Sequence, residues 1–286
     1  MGIKRVSGQN SLPQLHLSHA SGTTAEIYLH GAHITGWRSA AGDELLFLSR
    51  ASLFASGTPI RGGIPVVFPQ FADTGPLPKH GFARTREWEW LQSESVDGEV
   101  IRAVLRLEDS TATRAIWPHA FRLSLSVELS EHSLAAELNV TNPGAREISF
   151  TAALHTYLRV ADVRESVILG LEGVEYRDKL EEERRTQRKP RLEIGDEVDR
   201  VYRNAPAELR VQDDGSAGRT IAVHSRGFSD AVVWNPWIEG ARSLPDMADE
   251  EYLEMVCVEA ARVETPVTVR PTESWRGSQR LELLSR

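Results

Sequence analysis

The sequence predicts an all-β protein, a sandwich or barrel assembled from many short strands. Segments with alternating apolar and polar residues recur along most of the 286 residues, and Gly, Pro, Asn and Asp interrupt them at short intervals. No well-capped segment with helical periodicity extends beyond about three turns. Because helices do not alternate with the strands, a parallel α/β sheet is not expected.

The candidate strands in the first part of the chain are rich in β-branched and aromatic residues. They are residues 25–31, 31–37, 44–49, 86–95, 99–109, 121–130, 133–142 and 147–160. The dipeptide Asp97-Gly98 is a strong hairpin signal, which predicts that the segments on either side of it pair with each other.

The candidate strands in the second part are residues 194–202, 208–214, 220–227, 230–237, 251–261, 266–271 and 274–285. The charged segment 177–191 predicts a solvated loop or a short exposed helix rather than a binding surface. Single helical turns are expected within residues 53–59 and 245–253. No linker or shift in composition divides the chain, which predicts one domain spanning residues 1–286.

The Gly- and Pro-rich segment from Arg61 to Arg86 is the clearest candidate for a binding loop. Gly permits positive φ and Pro fixes φ, so this segment is expected to have a defined shape. Its apolar residues from Val66 to Phe68 are expected to be buried. Functional residues concentrate on shaped loops that carry Arg and His. The alternative is a structural connection whose cations face water.

The composition limits the class of partner. A formal net charge of -8 argues against nucleic acid or an anionic membrane as the main partner, but it allows a local cationic pocket for a small anion. The single cysteine, Cys257, excludes an intramolecular disulfide and is expected to be a small buried hydrophobe. No apolar run could span a membrane and no secretory h-region occurs, so we expect a cytoplasmic protein.

Three titratable residues stand out as candidates for acid–base chemistry. His155 interrupts an apolar strand, where alternation places it on the same face as Ala153 and Tyr157; a hydrogen-bonded core histidine is the alternative. Glu259 lies among Val, Cys and Ala, where burial would raise its pKa unless an arginine pairs with it. His80 lies in the candidate binding loop and could also be a surface residue. A histidine with a carboxylate is the minimum set for general acid–base catalysis.

Arg61 and Arg84 of the same loop could bind a phosphate or carboxylate, since guanidinium groups bind such anions in bidentate fashion. Trp234 and Trp237 could stack on a sugar or serve packing alone. No metal-ligand spacing, nucleophile elbow or nucleotide-binding glycine motif occurs, so neither a metal nor a cofactor is expected.

Six segments together carry a resemblance to a known family. They are GAHITGW (31–37), IRGGIPVVFPQF (60–71), PKHGFAR (78–84), ALHTYLRV (153–160), VVWNPW (232–237) and VCVEAA (256–261). In this order they resemble the glucose-6-phosphate 1-epimerase family, the hexose-6-phosphate mutarotases of the aldose 1-epimerase superfamily. The resemblance covers residues 25–275, and the part containing RGGIP, FPQF and HGFAR is the most specific.

The resemblance implies a galactose-mutarotase-like β-supersandwich that binds a sugar across the concave face of a sheet. It implies His155 as the general acid and Glu259 as the general base, with His80 assisting at the ring. The substrate-binding residues that it implies are Arg61 and Arg84 for the 6-phosphate, Gln70 in the pocket and Asp199 for sugar hydroxyls. The family usually has a Thr-Asp pair where this chain has Val198-Asp199.

The expected function is interconversion of the α and β anomers of hexose 6-phosphates, with glucose 6-phosphate as the expected substrate, by acid–base ring opening and reclosure. The protein is expected to be a monomer whose partner is a small sugar phosphate. Three alternatives stay open: a mutarotase for unphosphorylated aldoses, a non-catalytic carbohydrate-binding protein on the same fold, and a metal-dependent sugar isomerase.

Overall fold

The computed structural model describes residues 2–96, 99–215 and 218–284. Its strands are, in chain order, β1 (Gly2–Ser7), β2 (Pro13–Ser18), β3 (Thr24–Tyr28), β4 (His33–Arg38), β5 (Val66–Val67), β6 (Glu89–Val96), β7 (Val100–Glu108), β8 (Arg122–Leu129), β9 (Ser133–Thr141), β10 (Ile148–Leu154), β11 (Tyr157–Arg159), β12 (Ser166–Leu169), β13 (Glu175–Asp178), β14 (Glu183–Thr186), β15 (Arg191–Glu193), β16 (Val198–Tyr202), β17 (Glu208–Asp213), β18 (Arg219–Arg226), β19 (Asp230–Asn235), β20 (Met255–Val269) and β21 (Ser274–Leu284). Its α-helices are α1 (Thr111–Ile116) and α2 (Trp237–Arg242), and 3-10 helices span Gln9–Ser11, Ala83–Thr85, Val163–Glu165 and Glu251–Glu254.

These strands form three antiparallel sheets, which confirms the predicted all-β class. Strands β1 to β4 form a four-stranded meander. An eight-stranded sheet has the order β14-β13-β16-β19-β20-β10-β5, with β11 paired beside β20. A nine-stranded sheet has the order β15-β12-β17-β18-β21-β9-β8-β7-β6.

The nine-stranded sheet is amphipathic, as its alternating sequence predicts. In β7, for example, Ile101, Ala103 and Leu105 are buried while the residues between them are partly exposed. Strands β6 and β7 pair with each other as expected, although Asp97-Gly98 itself lies outside the described residues. The buried face packs in the main hydrophobic core, to which Leu15 of β2 also contributes.

The eight-stranded sheet is buried on both of its faces around β20. Every residue of Met255–Ala261 is buried. One face of this strand packs in the main core, and the opposite face packs against a separate set of side chains. Val256 and Val258 point into the main core. Cys257 and Glu259 therefore lie on the opposite face, since successive side chains of a strand alternate. That second face carries the candidate site.

The charged segment 177–191 differs from its prediction as a loop or helix. Strands β13 and β14 form a hairpin that continues the edge of the eight-stranded sheet, and β15 begins at Arg191. All four residues of β14 are exposed, so its charged side chains reach water and no apolar alternation marks it as a strand. The prediction was wrong because an exposed edge strand carries a polar sequence.

Short elements also differ from expectation. Residues 44–49 form isolated bridges at Glu44, Leu46 and Leu48 instead of a strand, and residues 53–59 contain no helical turn. The turn expected within residues 245–253 exists in part, as the 3-10 helix that starts at Glu251. Helix α1 was missed because six residues are too few to show periodicity. None of the helices in the described ranges has the length and apolar character of a membrane span.

Candidate active site

The structure brings His155 and Glu259 together, although they are distant in the sequence. His155 lies in the gap between β10 and β11, which both pair with β20, and Glu259 lies within β20. The Nε2 atom of His155 is 3.3 Å from Oε1 of Glu259, and the two side chains are only 9% and 1% exposed. Both point to the face that also carries Tyr157 and Cys257. An imidazole and a carboxyl group therefore meet on the face of the eight-stranded sheet that is turned away from the main core.

Burial dominates the electrostatics of this pair. It raises the pKa of Glu259 well above its ordinary range, and the negative charge of Asp199 adds to this rise. Burial also lowers the pKa of His155, and the positive charges of Arg84 and Arg61 lower it further. Oε2 of Glu259 and Nδ1 of His155 are buried without a hydrogen-bond partner in the protein. The site thus holds a strong base beside a neutral imidazole, with unused hydrogen-bonding capacity on both.

The RGGIP segment lies beside the acid–base pair because it hydrogen-bonds to the chain around His155. The backbone N–H of His155 donates to the carbonyl of Pro65 at 3.0 Å, and that of Tyr157 donates to the carbonyl of Gly63 at 2.9 Å. Gly63 has a φ of +61°, and a Cβ there would lie 2.1 Å from the carbonyl oxygen of Ile34. Glycine is therefore required for this close approach. The pairing places Arg61 beside Tyr157.

Arg61 and Arg84 have different electrostatic surroundings. Arg61 donates to both carboxylate oxygens of Asp246, at 3.0 and 3.2 Å, and to the hydroxyl of Tyr157 at 3.1 Å. Within the described part of the chain, Arg84 donates only to the carbonyl of Lys79 at 3.0 Å, and its Nε is buried without a partner there. No carboxylate of the described residues lies within ion-pair distance of it. Burial, with the positive charge of Arg61 contributing, lowers the pKa of Arg84 to about 10.

His80 is held against His155 by the loop that contains it. The backbone N–H of Ala72 donates to Nδ1 of His80 at 3.3 Å, so the proton of the neutral ring is on Nε2. The rings of His80 and His155 lie edge to face with centroids 5.5 Å apart. Burial lowers the pKa of His80 strongly, and His155 and Arg84 lower it further. His80 therefore offers a neutral N–H donor at the rim of the pair.

The remaining two predicted residues have protein partners already. Gln70 uses both amide hydrogens, on the carbonyls of Ala72 and Leu77, and its oxygen accepts from the backbone N–H of Leu77. It holds the loop together, and contact with substrate stays a prediction. Asp199 accepts a hydrogen bond from Nζ of Lys179 at 2.5 Å. It lies on β16, across from Trp234 of β19, so its carboxylate is on the face of Glu259.

Sequence reasoning missed three residues of this surface. Tyr157 was placed on the correct face, but no role was assigned to it. Lys179 lies in the charged segment that was expected to be solvated, yet its charge lowers the pKa of Glu259 against the effect of burial. Asp246, the partner of Arg61, gave no local signal. A buried arginine needs a counter-charge, but the sequence does not say which carboxylate supplies it.

Comparison with known proteins bears on this geometry. The sequence matches the family described as aldose 1-epimerase over residues 13–282. The chain belongs to the aldose 1-epimerase family. A relative from Cenchrus ciliaris, named "Putative glucose-6-phosphate 1-epimerase", is 40% identical over 96% of this chain and 85% of its own length. A relative of the same name from Escherichia coli is 35% identical over 83% of this chain and 79% of its own length. The prediction of an enzyme of this family is confirmed.

Solved structures of similar proteins have the same fold as this epimerase-family member. The crystal structure of a "putative mutarotase" from Salmonella typhimurium has a TM-score of 0.91 and 29% identity, with 100% of this chain and 94% of that chain covered. A galactose mutarotase-like protein from Clostridium acetobutylicum has a TM-score of 0.77 at 14% identity, over 99% and 98% of the two chains. The galactose-mutarotase-like sandwich predicted from the sequence is therefore confirmed.

Proposed function

We propose that this protein interconverts the α and β anomers of hexose 6-phosphates, with glucose 6-phosphate as the expected substrate. The observation that carries the phosphate assignment is Arg84. It is a partly buried cation without a carboxylate partner among the described residues, and its charge reaches His155. A site for an uncharged aldose would leave this charge uncompensated. The names of the two relatives described above support the same substrate.

The acid–base pair suits ring opening at the anomeric carbon. C1 carries both the ring oxygen and the hydroxyl group, so the acid and the base must reach two oxygens on one carbon. His155 and Glu259, with reactive atoms 3.3 Å apart, are spaced for this. Glu259 takes the proton of the C1 hydroxyl while His155 protonates the ring oxygen, and the C1–O5 bond breaks to give the free aldehyde. Rotation about C1–C2 and reclosure give the other anomer, with the two residues exchanging roles.

The charges of the site fit this proton transfer once a phosphate is bound. Burial raises the pKa of Glu259, so its ionised carboxylate binds a proton more strongly than an exposed carboxylate does. In the free protein burial lowers the pKa of His155, and the charges of Arg84 and Arg61 lower it further. A phosphate dianion beside Arg61 and Arg84 would offset their charge and raise the pKa of His155 toward the protonated form that the acid requires. His80 would donate from Nε2 to the sugar ring.

Two outcomes would contradict this function: equal activity on the unphosphorylated sugar, and binding without catalysis. Exchange between the anomers of glucose 6-phosphate and of glucose is followed by NMR at equal enzyme concentration, against the uncatalysed rate. We expect kcat/KM to be higher for glucose 6-phosphate. Equal values would favour a general aldose mutarotase, and binding without accelerated exchange would favour a carbohydrate-binding protein.

We also propose that the chain folds as a single domain. The main core takes side chains from all three sheets, for example Leu15, Leu125 and Val258, which supports one domain over residues 1–286. The monomeric state and the cytoplasmic location stay predictions from the sequence. Sedimentation equilibrium of the purified protein would test the first of them.

A further inference from the structure

Tyr157 lies between the phosphate-binding candidates and the acid–base pair. Its ring stacks on the imidazole of His155, with centroids 4.8 Å apart and planes 12° apart. At the other end of the same side chain, the hydroxyl oxygen accepts a hydrogen bond from Nη1 of Arg61 at 3.1 Å. Tyr157 is 2% exposed. One buried side chain therefore contacts both halves of the site.

The ring of Tyr157 is fixed from its other sides. Phe47 stacks near its second face, with centroids 6.4 Å apart and planes 26° apart. Trp234 meets both Tyr157 and His155 edge to face, at 5.9 and 6.0 Å. The backbone N–H of Phe47 donates to the carbonyl of Tyr157 at 3.0 Å. A ring held in this way cannot slide without disturbing the imidazole that rests on it.

The hydroxyl of Tyr157 completes the orientation of Arg61. Asp246 holds Nε and Nη2 of the guanidinium group, while Tyr157 holds Nη1. Because the guanidinium group is planar, contacts on two sides fix its plane. The same phenol group thus fixes the plane of the Arg61 guanidinium group and the plane of the His155 ring.

We propose that Tyr157 is a positioning residue for the mutarotation, with a ring that orients the imidazole of His155 and a hydroxyl that orients the guanidinium group of Arg61. The hydroxyl part rests on the proposed function, because it concerns binding of the 6-phosphate. The ring part concerns proton transfer and applies to any aldose that the site accepts. The two parts are separable by substitution.

Tyr157→Phe removes the hydroxyl and keeps the ring. We expect the KM for glucose 6-phosphate to rise about 3- to 10-fold, the range for one lost hydrogen bond, with kcat unchanged. The KM for glucose is expected to stay the same, because glucose has no phosphate to meet Arg61. Anomer exchange measured by NMR over a range of sugar concentrations gives both constants.

Tyr157→Leu removes the ring as well. We expect kcat to fall about 10- to 100-fold for both sugars, since a displaced catalytic group costs rate in this range. Phe228→Leu is the matched control, because it removes another buried aromatic ring, one that meets Trp275 and neither His155 nor Tyr157. It should leave kcat unchanged. If kcat is lowered in Tyr157→Leu but unchanged in Tyr157→Phe, then the ring, and not the hydroxyl, is needed for turnover.

Two results would overturn this inference: an unchanged KM for glucose 6-phosphate in Tyr157→Phe, or a loss of turnover in Phe228→Leu as large as in Tyr157→Leu. If Tyr157→Leu does not fold by circular dichroism, Tyr157→Phe alone decides. Equal activity of the wild type on glucose and glucose 6-phosphate would instead refute the phosphate assignment, and turnover of glucose would still test the ring. Inactivity of the wild type on both sugars would overturn both proposals.

Discussion

Replacing Glu259 by glutamine should abolish most of the activity and stabilise the protein. The change keeps the shape of the side chain but removes the base. We expect the catalysed rate of anomer exchange to fall about 10²- to 10⁴-fold, the usual contribution of one general acid–base group. The same substitution should raise the free energy of unfolding at neutral pH, because a buried carboxylate is costly when it lacks partners.

The magnitude of the stabilisation follows from the contacts of the carboxyl group. Oε2 of Glu259 is buried without a partner in the protein, and Oε1 has only the imidazole of His155 nearby at 3.3 Å. The amide of glutamine would lack the same partners, so the gain comes from removing the charge, whose burial costs more than that of a neutral polar group by about 1–3 kcal/mol. For a protein of this size each kcal/mol corresponds to about 2–4 °C in Tm, so we expect Glu259→Gln to melt about 2–12 °C higher than the wild type.

The pH dependence of this difference has a definite sign. The folded-state pKa of Glu259 is raised above its ordinary value of 4.5. Its contribution to stability is therefore fully present below pH 4.5 and is lost as the pH rises through the folded-state pKa. The advantage of Glu259→Gln should be small near pH 4.5 and should grow toward neutral pH. His155 contributes a pH dependence of the opposite sign, but both proteins contain it.

Glu251→Gln is the matched control for this experiment. Glu251 is also buried, yet its oxygens accept hydrogen bonds from Ser49 Oγ and the backbone N–H groups of Arg50 and Ala248, at 2.6 to 2.9 Å. Replacing one of its oxygens by an amide nitrogen should destabilise the protein by about 1–3 kcal/mol. Chemical denaturation from pH 4.5 to 8 measures both variants. The reasoning fails if Glu259→Gln is less stable than the wild type at neutral pH, or if it retains the wild-type rate.

Three further predictions concern the charges around the pair. Arg84→Ala should raise the KM for glucose 6-phosphate more than it lowers kcat, and an unchanged KM in the NMR exchange assay would contradict the assignment of this cation to the phosphate. Inorganic phosphate should raise the pKa of His155, because it offsets the positive charges that lower it; titration of the imidazole by NMR with and without phosphate tests this, and no change would refute the shared anion site. Lys179→Met should move the acid limb of the pH–rate profile to higher pH, because the charge of Lys179 lowers the pKa of Glu259. The exposed Lys189, changed to Met, should leave the profile unchanged.

The sequence predicted the strands from β6 to β10 and from β16 to β21 because alternation is a local property, whereas β1, β2 and β12 were not predicted. The residues that interrupt it, His155 and Glu259, were identifiable because burying a titratable group in an apolar strand requires a reason. Their meeting depends on the pairing of β10, β11 and β20, which local patterns do not encode. The family resemblance, not the alternation, supplied that pairing.

Other parts of the site could not be predicted from local sequence. Asp246 is 185 positions from Arg61, and nothing in its own segment marks it as the partner. Lys179 lies in a segment whose charges were expected to face water, and most of them do. The distinction between the two arginines is invisible in the sequence, since both occur in the same Gly- and Pro-rich segment. The distinction depends on which arginine lies within reach of a carboxylate in the folded protein.

The unpaired atoms of the candidate site explain why a stabilising substitution and a loss of activity coincide. Oε2 of Glu259, Nδ1 of His155 and Nε of Arg84 are all buried without a partner in the protein. Such groups destabilise the free protein, and a ligand that supplies hydrogen-bonding oxygens to any of them regains that free energy on binding. A sugar phosphate carries hydroxyl groups, a ring oxygen and an anion in one molecule. Glucose 6-phosphate should therefore raise the Tm of the wild type more than glucose does, and this difference should shrink in Arg84→Ala, where the unpaired cation is gone.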